Sequence, residues 1–127
     1  MSTILVLDDD AADHELIRQV ATDSDHTVMA SVTIEDFEFQ MTQQPIDLVI
    51  ISLTTIRDQD MRRLQPILQQ APAAKIFAVS SSQQGTGLTT LLRAESLGAH
   101  HLLAKPIDPR QLRRCFEATF PQPAQQD

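Results

Sequence analysis

Four polar groups, each placed directly after an apolar run, are the residues of this 127-residue chain best suited to chemistry. Asp8, Asp9 and Asp10 follow ILVL, Ser52 follows LVII, Ser80 to Ser82 follow KIFAV, and Lys105 follows HLLA. Adjacent carboxylates repel one another unless a cation lies nearby, and Lys105 is the kind of residue that supplies one. A serine hydroxyl is protonated at neutral pH and needs a general base to become a nucleophile. No histidine is placed by the sequence to serve Ser52 in that way. Asp10 and Asp13 have a second reading, as acids that complement the amino end of the helix that follows.

These groups meet only if the runs that precede them are neighbouring strands. Residues 48–51, LVII, are apolar throughout and β-branched at three of four positions. That pattern suits a strand buried on both faces, the centre of a parallel sheet. In such a sheet, ligands collect beyond the carboxyl ends of the central strands, where Ser52 stands. Further strands are expected at 3–7, 26–32, 75–79 and 99–104, the second nearer an edge because it mixes Thr, Ser and Met with Val. Helices are expected at 11–24, 34–43, 61–70, 88–97 and 109–120. Thr33 with Asp36 resembles a capping box, Gly98 suits a left-handed cap, and Asp108 caps a helix with Pro109 in its first turn. His14 is expected to face solvent. Five alternations of strand and helix predict an α/β fold, a flavodoxin-like (βα)5 three-layer sandwich with a parallel five-stranded sheet of order 2-1-3-4-5.

The chain resembles the receiver domain of two-component response regulators over residues 3–120, with 121–127, PQPAQQD, as a tail or the start of a linker. In that family an acidic pair follows the first strand, a phospho-accepting aspartate ends the third, Ser or Thr ends the fourth and Lys-Pro follows the fifth. Asp8 with Asp9, Ser80 and Lys105-Pro106 match three of these. Aligning PIDLVIISL with the usual PDLVLLDL puts Ser52 on the phospho-acceptor, so the resemblance is to a degenerate, or pseudo-, receiver. It implies a cis Lys105-Pro106 bond and weak or absent magnesium at Asp8 and Asp9. Lys105 is then left to pair with Asp8 and Asp9, while Asp9 is better placed to hydrogen-bond the Ser52 hydroxyl than to activate it. The connection 53–60 lacks the family's Pro and Gly, with Ile56 and Asp60 in their places, and Leu102 replaces the Tyr or Phe that changes rotamer.

The function implied is an atypical, non-enzymatic receiver domain of a phosphorelay system, acting as a phosphorylation-independent protein-interaction module. The alternative is phosphorylation at a non-standard acid, Asp58 or Asp60. At this length the chain is one domain, too short for a receiver plus an output domain, so a protein partner or a missing output domain is expected. A homodimer through the fourth helix, fifth strand and fifth helix is a further possibility, with Arg110, Arg113 and Arg114 as interface residues. Those arginines also read as an ordinary solvated face. A net charge of -7 argues against nucleic acid, and five Phe without Trp or Tyr offer few stacking surfaces for bases or flavins. The single Cys115, with no signal peptide and no long apolar span, points to a cytoplasmic protein that does not enter a membrane. Gly85 and Gly87 lack a GxGxxG frame, and the adjacent His100 and His101 point to opposite sides of a strand, so neither pair suggests a ligand site.

Overall fold

A computed structural model describes residues 2–81 and 87–120 of the chain. Its elements are β1 (Thr3–Leu7), α1 (Ala11–Asp23), β2 (Thr27–Ser31), α2 (Ile34–Gln43), β3 (Leu48–Ser52), α3 (Asp58–Gln69), β4 (Lys75–Ser80), α4 (Leu88–Leu97), β5 (His101–Ala104) and α5 (Pro109–Thr119). The strands form one parallel sheet in the order β2-β1-β3-β4-β5, as the alternation of strands and helices predicts.

The two-residue period of the strands divides the core into two layers. Leu5, Leu7, Val49, Ile51 and Ala78 pack with Phe37 of α2, Leu64 and Leu68 of α3, and Leu97 of α4. Ile4, Val6, Leu48, Ile50, Phe77 and Val79 face the other way, onto Ile17 and Val20 of α1 and Leu112 and Phe116 of α5. Every residue of β3 is buried. β2 is an edge strand, and its mixed composition matches its partial exposure.

Local chemistry sets the helix ends. Asp10 caps α1, its carboxylate accepting from Ala12 N at 2.8 Å and Asp13 N at 3.4 Å. Thr33 accepts from Asp36 N at 3.1 Å, and Asp108 accepts from Arg110 N at 2.9 Å. Gly98 ends α4 at φ 80°, a left-handed conformation that costs glycine little. The Lys105-Pro106 bond is cis. Most boundaries fall within one residue of expectation, β5 begins two residues late at His101, and the largest difference is that α3 begins at Asp58 rather than near Met61. Asp60 accepts the Arg57 backbone N–H at 2.8 Å, and two first-turn acids complement the helix dipole, so the polar run DQD extends the helix. Ser82 and Gly85, read from sequence as parts of a polar connection, and the tail 121–127 lie outside the described residues.

Phe77 is fully buried in β4, its ring 6.1 Å from that of Phe116 and edge-on to His101 at 5.1 Å. Phe77→Ala is expected to lower unfolding free energy by about 3–5 kcal/mol in urea titration. Phe39→Ala, at a site 60% exposed, should shift it by less than about 0.5 kcal/mol.

Candidate functional site

The polar groups lie at the carboxyl edge of the sheet, and the cation among them is Lys105, which meets two of the acids. Its backbone N–H donates to Ser80 O at 2.8 Å, which fixes the residue beside β4. Its ammonium lies 3.2 Å from Asp8 Oδ2 and 2.7 Å from Asp13 Oδ2. The second partner is a correction, because the sequence suggested Asp9. With Asp10 as the cap, Asp13 falls in the first turn of α1, where helix phase turns its carboxylate toward Lys105. Asp9 instead meets the β3–α3 connection: its N–H donates to Thr55 Oγ1 at 3.2 Å, and Thr55 Oγ1 donates to Asp9 Oδ1 at 3.3 Å. His14 also departs from expectation. Its Nε2 lies 2.6 Å from the Asp8 carbonyl oxygen, so the ring folds back over the site and is partly buried.

Burial pushes the Asp8 carboxyl above the usual aspartate value, against the lowering effects of the Asp10 N–H and of Lys105. For Lys105, burial pulls the ammonium down, but hydrogen bonds and charge from Asp13 and Asp8 outweigh it and raise the lysine above its ordinary value.

The hydroxyls are already engaged. Ser52, 1% exposed at the end of β3, shares a hydrogen bond with Thr54 Oγ1 at 2.8 Å rather than with Asp9. Ser80 is fully buried and donates to Leu103 O at 3.5 Å, a long bond directed at β5. Leu102 is half-buried and packs against the core layer beneath α4. Asp60 is committed to the start of α3, while Asp58 is almost wholly exposed, 3.9 Å from Arg93 Nε. Among the described residues, no three His, Cys, Asp or Glu side chains group in a way that could hold a metal ion.

The pattern of strand-end acids, serine and Lys-Pro coincides with a family match: the response regulator receiver domain matches residues 4–117. The chain belongs to that family. No curated protein matches it. Solved structures do, at identities that speak for the fold alone. A response regulator from Thermotoga maritima has a TM-score of 0.83 at 14% identity, covering 96% of this chain and 99% of that one. A CheY-like receiver domain protein from Methanospirillum hungatei JF-1 has a TM-score of 0.79 at 19% identity, covering 93% and 92%. The beryllofluoride-activated NtrC4 receiver domain dimer has a TM-score of 0.80 at 14% identity, covering 94% and 97%.

In this receiver Arg110, Arg113 and Arg114 are all exposed on α5, but they diverge: Arg113 leans toward α1, its Nη2 3.8 Å from Asp23 Oδ2. Arg93 of α4 is a residue that the sequence does not single out by type, although its spacing carries a signal. It stands three residues after Thr90 and four before Leu97, both buried, so helical period turns it inward. No helix among the described residues is long and apolar enough to cross a membrane.

The raised Asp8 carboxyl ties stability to pH. A carboxyl raised on folding contributes stability that is fully present below its ordinary value of 3.8 and is lost as pH rises through the folded value. At pH 7 ionised Asp8 is therefore a net cost, and Asp8→Asn should hold or raise the urea midpoint. Asp13→Asn, which removes the nearest partner of Lys105, should lower stability by roughly 1–3 kcal/mol. The gap between wild type and Asp8→Asn should shrink as pH falls through the folded value toward the ordinary 3.8, because protonation of the wild-type carboxylate removes the cost of burying its charge. An Asp8→Asn midpoint well below wild type at pH 7 would contradict this account.

Proposed function

We propose that this receiver is a pseudo-receiver with Ser52 at the phospho-acceptor position, and that it serves a two-component system as a phosphorylation-independent, non-enzymatic interaction module in the cytoplasm. The observation that supports it is the pairing of Lys105 with Asp8 and Asp13, beside a strand end whose hydroxyl is already bonded to Thr54. Acyl phosphate formation needs an anionic carboxylate as nucleophile and cations free to neutralise the phosphoryl oxygens. Ser52 offers no such anion, and Lys105 is shared between two acids. Magnesium prefers a near-octahedral set of oxygens, and with only Asp8 and Asp9 as strand-end acids the metal binds weakly or not at all.

Intact-mass measurement after incubation with a small phosphodonor and magnesium should find the mass unchanged. A magnesium-dependent gain of one phosphoryl group would overturn the proposal, and its loss in Asp58→Asn or Asp60→Asn would establish the alternative acceptor. Of those two, Asp58 has the freer side chain.

The partner surface we propose is α4, β5 and α5, toward an acidic protein, an output domain or a second copy of the chain. Support comes from the exposed arginines of α5 in an acidic chain, and a receiver dimer among the similar structures shows that the fold can pair. Charge reversal at Arg110 and Arg114 should weaken association by about tenfold or more. Arg62 is the proper control, because Arg63 already bridges Glu35 and Glu38 at 3.0 Å each. Equal loss at Arg62 would reduce the effect to general electrostatics.

A further inference from the structure

Arg93 spans two elements that the sequence separates by 40 residues at one contact and 37 at the other. From α4 its Nη1 donates to Leu53 O at 3.0 Å and its Nη2 to Ile56 O at 2.9 Å. Its side chain is only 15% exposed, and Leu53 and Ile56 are 1% and 4% exposed. The guanidinium therefore satisfies the carbonyls of two buried residues in a connection whose Thr54 and Arg57 are exposed. Its Nε faces the exposed Asp58 at 3.9 Å and has no hydrogen-bond partner among the described residues. A largely buried, incompletely neutralised cation is costly, and the two charge-assisted bonds it makes offset that cost.

The connection it grips is the one that lacks the family's Pro and Gly. Leu53 N–H donates to Val79 O at 2.7 Å and Thr55 N–H to Ser52 O at 3.1 Å, so the first part of the turn is held by the sheet. Ile56 O is held from across the fold by Arg93. Sliding or rotation of α4 against this connection strains both bonds together and would leave two partly buried carbonyls unpaired.

We propose that Arg93 is a latch that locks α4 to the β3–α3 connection, holding α4 in one pose whatever happens at the strand ends. The latch rests on the reading of this chain as a phosphorylation-independent receiver and supplies its physical means. What it fixes is the outer face of α4, where Leu88, Leu91 and Leu92 are 72%, 45% and 52% exposed. Lysine cannot replace the arginine fully, since one ammonium does not present the planar fork that reaches both carbonyls.

Hydrogen exchange by mass spectrometry on the full chain tests this. In Arg93→Gln, amides of 53–58 and 88–97 should exchange about tenfold faster or more, with β1 and β3 unchanged. Arg93→Lys should fall between the two, and it decides the matter if the glutamine variant does not fold. Unchanged exchange in both segments, or an equal rise across all strands, would overturn the latch. Wild type treated in parallel with a phosphodonor separates the two claims. A phosphoryl mass gain removes the phosphorylation-independent reading, whereas slow exchange in Arg93→Gln without such a gain removes the latch alone.

Discussion

Burial of β3 on both faces is the constraint from which the rest of the molecule follows. All five of its residues are buried, with β1 and β4 hydrogen-bonded at its sides and a helical layer on each face. A strand so enclosed reaches polar surroundings only at its ends. Parallel pairing then requires every strand-to-helix connection to leave from the same edge, which is why Asp8, Ser52, Ser80 and Lys105 share a neighbourhood despite their separation in sequence. The location of the site is a by-product of how the core is filled.

That edge concentrates acids, and the fold separates them by giving each a different partner. Asp8 goes inward to Lys105, Asp9 outward to Thr55, Asp10 to the amino end of α1, and Asp13 back to Lys105 from the first helical turn. Two acids against one base leave roughly one net negative charge around Lys105, a balance that discourages a further anion. The pairing favours the charged lysine, while the inner carboxylate bears the burial cost, which is why the two groups are both shifted upward.

Strand order, the placement of each helix and the caps at Thr33, Gly98 and Asp108 were legible because they depend on residues close in sequence or on a repeating period, whereas the cis proline was legible only through the resemblance to receivers. The partner of Lys105 was not. Choosing Asp13 over Asp9 depends on the rotational phase of α1, which is set by Asp10 as cap, and the sequence left Asp10 and Asp13 open between site and cap. His14 illustrates the same limit, since its ring bonds a carbonyl six residues back and is thereby drawn out of solvent. The start of α3 was obscured by the polar run DQD, which reads equally as loop or as a first turn rich in acids. Arg93 was visible in spacing but hidden by type, because an arginine is presumed to be on the surface unless its partners are known.

Lys105 and Arg93 divide the edge between them: one ties β5 to β1 and α1, the other ties α4 to the turn after β3. A conformational switch needs two arrangements close enough in free energy for a ligand to choose between them. Each buried group satisfied in one arrangement raises the energy of the other, because opening leaves it unpaired in a poorly hydrated interior. If Ser52 accepts no phosphoryl group, nothing at this site offsets that penalty, and the population stays where the two cations hold it. Under those two proposals Ser52 at the acceptor position and Arg93 act together: the first withholds the input, and the second fixes the outer face of α4 in a single form that a partner can recognise.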